Sequence, residues 1–287
     1  MKKLLILSGK GGTGKTTTAG AFIHFAQAKA FADCDVDAPN LHILGQQSGS
    51  PTLGDYFGSE KATIQADTCT GCGICVEHCK FNAIRQENSK YQVDLFACEG
   101  CGVCQYVCPI GAVVLEPDLS GHTTFYCGDS VFSTAKLKMG RGNSGKLVTE
   151  VKGNLTKNAT ADLAIIDGSP GIGCPVIASM TGVDLVLIVA EPSRAGISDM
   201  ERILKTAEIF QTKTLVCVNK WDTNPDNTAE IEEFCRVHEI LFAGKIPYDK
   251  TASQAINRGE SIAVTDCPAR DALYEVYKKT IRFLDDK

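Results

Sequence analysis

Eight of the fourteen cysteines fall into two runs of one pattern, Cys69-x2-Cys72-x2-Cys75-x3-Cys79 and Cys98-x2-Cys101-x2-Cys104-x3-Cys108, the second followed by Pro109. Thiols at such short intervals are soft ligands gathered for a metal rather than halves of disulfides. Three cysteines at three-residue intervals can wrap one face of an iron–sulfur cubane, and the fourth leads the chain away. A second chemical group opens the chain, Gly9-Lys10-Gly11-Gly12-Thr13-Gly14-Lys15-Thr16-Thr17. A glycine-rich turn between an apolar strand and a helix presents backbone N–H groups and a positive helix end to phosphate oxygens. Lys15 would neutralise the β- and γ-phosphates of a nucleotide, and Thr16 would hold Mg²⁺ through its hydroxyl. Nucleotide hydrolysis and a redox or cluster-carrying centre are therefore expected in one polypeptide.

Residues 59–119 resemble a bacterial-type ferredoxin. In such two-cluster proteins the fourth cysteine of each run ligates the other cluster. The resemblance implies one [4Fe–4S] on Cys69, Cys72, Cys75 and Cys108, and a second on Cys98, Cys101, Cys104 and Cys79. Gly71, Gly73, Gly100 and Gly102 suit the tight turns that bring amides near sulfur. Lys80 stands where the first run would usually carry proline, a departure that removes no ligand. Zinc is the competing reading, since thiolates bind it too, but zinc sites usually pair two Cys-x2-Cys knuckles across a longer gap. Here the whole run is repeated.

The loop's extra lysine, Lys10, is the second resemblance. Lys10-Gly11-Gly12-Thr13-Gly14-Lys15-Thr16 resembles the deviant phosphate loop of the MinD/ParA/Mrp/nitrogenase-iron-protein family. There the first lysine reaches a nucleotide across a dimer interface, in a role like that of an arginine finger. The resemblance implies an ATP-sandwich dimer, with itself or with a paralogue. It also implies nucleotide contacts from Gly11 through Thr17. Asp33-Cys34-Asp35-Val36-Asp37 resembles the first switch, with Asp35 orienting the attacking water, and Asp167-Gly168-Ser169-Pro170-Gly171 resembles the second, with Asp167 on Mg²⁺. Asp33 and Asp37 are open to capping or loop solvation. Val218-Asn219-Lys220-Trp221-Asp222 and Ile246-Pro247-Tyr248-Asp249 resemble the base-contacting segments. Asn219 is expected to read adenine, while Asp222 of the Asn-Lys-x-Asp pattern leaves guanine open, and Pro247 covers the base. Glu191-Pro192-Ser193 ends a strand near the site, with no chemistry assigned.

Cys34, Cys127, Cys217, Cys235 and Cys267 stand in apolar settings and are expected to be small core residues. Cys174 lies at the spacing of a switch cysteine that holds a shared cluster in the nitrogenase iron protein. It is either such a ligand or a buried structural thiol. Lys136, Lys138, Arg141 and Lys146, interleaved with glycines, form a basic stretch that faces a partner or solvent.

The elements that must position these residues read as α/β. Unbroken apolar strands are expected at Leu4–Ser8, Ala30–Val36, Thr123–Cys127, Leu163–Ile166, Leu185–Ala190 and Leu215–Val218. They alternate with helices at Thr16–Lys29, Ser198–Phe210, Thr228–His238 and Ala269–Leu284, the pattern of a mostly parallel sheet with helices on both faces. A P-loop ATPase domain of residues 1–58 and 120–287 is then interrupted by an α+β insertion at 59–119, whose two runs are offset by 29 residues.

Hydrophobic content of 44% and charge of 22% allow an ample core. A net charge of −5 does not suggest general nucleic-acid binding. Residues 60–118 carry four more acids than bases, which suits either a basic docking partner or ordinary solubility charge. Met1–Leu7 is too short for a signal segment, no apolar run approaches a membrane span, and Arg282–Lys287 is no basic amphipathic tail. A cytoplasmic setting is expected, with a redox or cluster-acceptor protein as partner and electron transfer favoured over cluster delivery or MinD-like spatial positioning.

Overall fold

The apolar run Leu4-Leu5-Ile6-Leu7 forms most of strand β1 (Lys2–Leu7), and all four side chains are buried. Successive strand residues point to opposite faces, so burial at both parities means that helices cover the sheet on both sides. The computed structural model describes residues 1–44, 47–87 and 90–286. After β1 the chain forms α1 (Lys15–Ala26), β2 (Ala30–Asp33), the long β3 (Pro51–Ile64), α2 (Ile74–His78), β4 (Ile84–Glu87) and β5 (Lys90–Val93). It continues through α3 (Val103–Tyr106), the long β6 (Val113–Cys127), β7 (Val131–Leu137), α4 (Ser144–Asn158), β8 (Leu163–Asp167), α5 (Cys174–Met180) and β9 (Leu185–Ala190). It ends with α6 (Arg194–Ile209), β10 (Lys213–Asn219), α7 (Pro225–Val237), β11 (Leu241–Ile246), α8 (Lys250–Asn257) and α9 (Pro268–Asp285).

Two units follow. The first comprises Met1–Leu53, Thr123–Lys136 and Gly145–Lys287, and the second Gly54–His122 and Leu137–Ser144. In the first, the sheet runs β11-β10-β9-β1-β8-β2-β7 and continues into β6 and β3, along which the chain leaves for the second unit and returns. β1 pairs in parallel with both β8 and β9, so crossovers diverge on either side of it. That divergence leaves a crevice beyond the strand ends, where ligands of such sheets bind. On one face Leu4 and Ile6 join a core with Phe22 of α1 and Leu273 and Val276 of α9, and Phe22 meets Tyr277 edge to face at 5.1 Å.

Several boundaries differ from the sequence expectation for local reasons. α1 stops at Ala26 rather than Lys29 because Gln27 adopts a left-handed cap, φ 47°. β2 stops at Asp33 rather than Val36 because the Asp33 carboxylate gathers the loop N–H groups that follow. α6 begins at Arg194, where the Ser193 hydroxyl accepts the Gly196 N–H, and α7 begins at Pro225 behind the Asn224 cap. The basic stretch is not a free loop: Lys136 lies in β7 and Lys146 in α4. Arg141 pairs with Asp118 at 3.1 Å with 14% of its side chain exposed.

The second unit is built around a small core of Ala62, Ala83, Cys98 and Val113. β4 and β5 form an antiparallel hairpin. The short helices α2 and α3 each start after a glycine in the left-handed region, Gly73 at φ 79° and Gly102 at φ 77°. The repeat in sequence is thus a repeat in backbone conformation. No described helix is long and apolar enough to cross a membrane.

α5 is held at its end by Lys152 of α4, which donates to the carbonyls of Ala178, Ser179 and Thr181 at 2.9, 2.6 and 2.6 Å. Burial pushes its amine down to about 8. Lys152→Met strips donors from three carbonyls at a helix end. It should lower stability by about 2–3 kcal/mol, read as a reduced urea midpoint in the fluorescence of Trp221, the single tryptophan. A midpoint unchanged in this variant would contradict the role given to Lys152.

Candidate functional site

Strand β1 delivers the loop, and the loop is shaped by its glycines. Gly14 sits at φ 97° at the start of α1, and the Asn219 side-chain amide lies where a Cβ would stand. Any side chain at position 14 would both strain the backbone and displace Asn219. Two cavities flank the loop. One, of about 450 Å³, is lined by Lys10, Gly11, Gly12, Gly14, Lys15, Thr16 and Thr17 with Asp35, Asp37, Ser169 and Pro175. The other, of about 240 Å³, is lined by Gly12, Gly14 and Thr17 with Asn219, Pro247, Tyr248 and Asp249. Thr13 is buried, its carbonyl accepting the Asn219 amide at 2.7 Å.

Charge is concentrated at the floor of the first cavity. The Lys15 amine pairs with Asp167 at 2.6 Å and lies 3.9 Å from Asp35. Thr16 donates its hydroxyl to the other Asp167 oxygen at 2.7 Å. Asp33 and Asp167 are wholly buried and Asp35 is half-buried. Burial would lower the Lys15 pKa, but Asp167 first, then Asp33 and Asp35, hold it above its ordinary value. Burial, with the charge of Asp167 added, pushes the Asp33 carboxyl up to about 7. Burial also raises Asp35, against the pull of Lys15.

Asp33 has a structural task. It accepts the N–H groups of Asp35, Asn40 and Leu41 at 3.0, 2.9 and 2.9 Å, which folds the loop after β2 back on the strand end. Asp37 is exposed. The loops that follow β2 and β8 are tied at their roots, because the Cys34 N–H donates to the Asp167 carbonyl at 2.7 Å and the Ser169 hydroxyl to the Cys34 carbonyl.

The base-side residues hold protein. Asn219 donates to the Thr13 carbonyl and accepts the Lys220 N–H at 3.0 Å, and Lys220 reaches the Gly12 carbonyl at 3.1 Å. Asp222 accepts the Tyr248 N–H at 2.7 Å and so anchors the segment carrying Pro247. One contact was invisible from spacing: Glu191, given no chemistry from sequence, pairs with Lys10 at 2.6 Å. Its signal was positional, an acid at the end of the strand beside β1.

The eight repeated cysteines sort into two small cavities of the second unit. Cys69, Cys72, Cys75 and Cys108 line one, and Cys79, Cys98, Cys101 and Cys104 line the other. Equivalent amides approach equivalent sulfurs, Ala83 N–H to Cys79 Sγ at 3.4 Å and Ala112 N–H to Cys108 Sγ at 3.3 Å. Among the described residues no group of three or more His, Cys, Asp or Glu side chains is set to hold a single metal ion. Of the other cysteines, Cys34, Cys217, Cys235 and Cys267 are buried as expected. Cys127 is exposed, which corrects its placement in the core, since its strand ends there in a surface hairpin. Cys174 is also exposed, at the first turn of α5, so it is not a buried structural thiol.

The family described as the CobQ/CobB/MinD/ParA nucleotide binding domain matches residues 4–262. An uncharacterized protein of Methanocaldococcus jannaschii is 30% identical, the alignment covering 98% of this chain and 97% of the relative. An uncharacterized ATP-binding protein of the same organism is 23% identical over 97% of this chain and 87% of its own length. Among solved structures, the septum site-determining protein MinD of Pyrococcus horikoshii, complexed with Mg-ADP, superposes with a TM-score of 0.58 at 14% identity, covering 99% of this chain and 97% of that one. The MinC:MinD cell division complex of Aquifex aeolicus gives 0.56 at 17% identity over 98% and 96%. At those identities the likeness is one of fold. Sequence match, phosphate loop and sheet agree: the chain belongs to the CobQ/CobB/MinD/ParA family of P-loop nucleotide-binding ATPases.

Proposed function

We propose that this ATPase is an Mg-ATP-dependent iron–sulfur protein in which the nucleotide state controls two ferredoxin-type [4Fe–4S] clusters. The carrying observation is the crossed sorting of thiols, three from one run and the fourth from the other, around each of two cavities. Zinc would draw four ligands around one ion, whereas a cubane spreads them over four irons. Four thiols lining each cavity suit the cubane. The donor set is all sulfur, and amides point at Cys79 and Cys108. Cys69, Cys72, Cys75 and Cys108 would hold one cluster, and Cys98, Cys101, Cys104 and Cys79 the other. When bound, such clusters supply one-electron chemistry.

On the nucleotide side, Lys15 would leave Asp167 for the β- and γ-phosphates, and Thr16 with Asp167 would turn to Mg²⁺. Asp35 would orient water for attack on the γ-phosphorus as the bond to the β-γ bridging oxygen breaks, yielding ADP and phosphate. Lys10 would exchange Glu191 for the nucleotide of a dimer partner, a second copy or a paralogue, so the exposed ion pair is the resting position of that lysine. Gly11 through Thr17 would cradle the phosphates, with Asn219, Asp222 and Pro247 shaping the base side.

Coupling has a route through paired strands. β2 ends in Asp33 at the root of the first switch, β7 pairs with β2, and β7 runs into Leu137–Ser144 of the second unit. A change in the switch that follows γ-phosphate loss is therefore carried along strands that enter the cysteine unit. Electron transfer to a partner protein is the favoured use, because the cysteine set is complete within one chain. Delivery of clusters or cofactor precursors is favoured only by the exposure of Cys174.

Lys15→Ala should abolish ATP hydrolysis, by about 100-fold or more given the phosphate charge it loses, while iron stays at about eight per chain. Undiminished turnover would refute the site. Lys10→Ala should slow hydrolysis comparably yet leave nucleotide affinity within about threefold, since its target is the partner's transition state; a matching loss of affinity would show that it binds its own nucleotide. Anaerobic assays with a one-electron acceptor and with an apo-acceptor protein separate the two uses. ATP-dependent oxidation of the clusters with iron retained is expected, and transfer of labelled iron from redox-silent clusters would overturn the electron-transfer reading.

A further inference from the structure

Lys61 is the only charged side chain among the described buried residues of the second unit, 8% exposed on β3. Its amine donates to the carbonyl of Cys98. The partner is a carbonyl and not a carboxylate, so the positive charge is satisfied but not cancelled. The next residue, Ala62, lines the cavity of Cys79, Cys98, Cys101 and Cys104. On the other side of the same loop, Gly100 at φ 67° lies hard against the Glu60 carbonyl, so β3 is pressed onto this cysteine run.

The internal repeat supplies the comparison. Lys61 precedes Cys69 by eight residues, and Lys90 precedes Cys98 by the same eight. Both strands line both cavities, through Ala62 and Ile64 of β3 and Tyr91 and Val93 of β5. The neighbours of the two lysines divide: Ala62, beside Lys61, lines that of Cys79, Cys98, Cys101 and Cys104, and Tyr91, beside Lys90, that of Cys69, Cys72, Cys75 and Cys108. Lys90 is exposed. Its charge stands in water and is screened, whereas that of Lys61 acts through protein. Arg141, the other half-buried cation of this unit, donates to the Leu95 carbonyl at 2.9 Å but is paired with Asp118.

We propose that Lys61 makes the two centres of the cysteine unit unequal. The centre on Cys79, Cys98, Cys101 and Cys104 has the higher reduction potential, so an electron entering the unit comes to rest there. Adding one electron makes that centre more negative by one charge, and an uncancelled cation a few bonds away stabilises the reduced form over the oxidised one. No bond to a cysteine forms or breaks. Lys61 acts through charge alone, as a positioning residue for the electron. This inference rests on the cluster reading above.

The test is an anaerobic redox titration of the full-length protein, loaded with iron and sulfide and followed by electron paramagnetic resonance. The unaltered protein should show two separate one-electron waves. Lys61→Met should weaken reduction of the upper one at least tenfold, which for one electron is 59 mV, and shift the lower one far less. Lys61→Gln keeps a donor for the Cys98 carbonyl without the charge, so it should shift the wave as Lys61→Met does even if methionine impairs loading. Lys61→Arg should restore it, and Lys90→Met should move neither. An upper wave unmoved in an iron-replete Lys61→Gln protein, or both waves moved equally, would overturn the proposal. Absence of iron from the unaltered protein after reconstitution would instead overturn the cluster reading, and this inference with it.

Discussion

One buried ammonium, Lys15, faces three carboxylates, Asp33 at the end of β2, Asp35 in the loop beyond it and Asp167 at the end of β8, and much of the remaining architecture answers to that imbalance. Lys15 directly satisfies Asp167. Asp33 is left to be stabilised by three backbone N–H groups, and its carboxyl is driven up to about 7. Two negative charges and one positive cannot be tolerated in a dry site without strong hydrogen bonding. The loop after β2 is therefore folded onto Asp33, and the loop after β8 is tied to it through Cys34 and Ser169. The same surplus of negative charge gives a divalent cation and a phosphate somewhere to exchange partners.

The parts of this arrangement that were legible in the sequence are those set by local backbone chemistry. Gly12 and Gly14 must adopt positive φ, and an apolar strand followed by glycines and Lys15-Thr16 has few other uses. The repeated backbone of the cysteine runs was equally legible, because their spacing prescribes a turn between thiols. What stayed hidden depended on tertiary placement. β7 carries Ser133, Thr134 and Lys136 and shows no apolar run, yet it is a buried strand because β2 lies beside it. α4 contains Gly145 and Gly153 and has no place among the helices expected from sequence, but Leu147, Val148, Val151 and Leu155 bury one face of it. Glu191 and Lys61 look like solubility charges until the sheet brings one to Lys10 and the repeat brings the other to Cys98.

Asn219 and Asp222 show how a motif can be located while its immediate partners are not. Their positions at the end of β10 followed from pattern, but the structure directs their polar atoms to Thr13 and Tyr248, fixing the loop and the base segment to each other. A residue expected to read a ligand is first a residue that builds the wall. Cys127 and Cys174 teach the converse, since thiols in apolar-looking sequence lie at the surface where strand and switch end.

The account stands or falls on whether the nucleotide site and the proposed clusters of this chain communicate. The midpoint potentials of the iron-loaded protein, measured anaerobically at saturating Mg²⁺ with ADP and then with a non-hydrolysable ATP analogue, test this most directly. A change of at least tenfold in the reduction equilibrium of one or both centres, 59 mV for one electron, is the predicted result. Potentials identical in the two nucleotide states, with binding of both nucleotides demonstrated in the same samples, would contradict it.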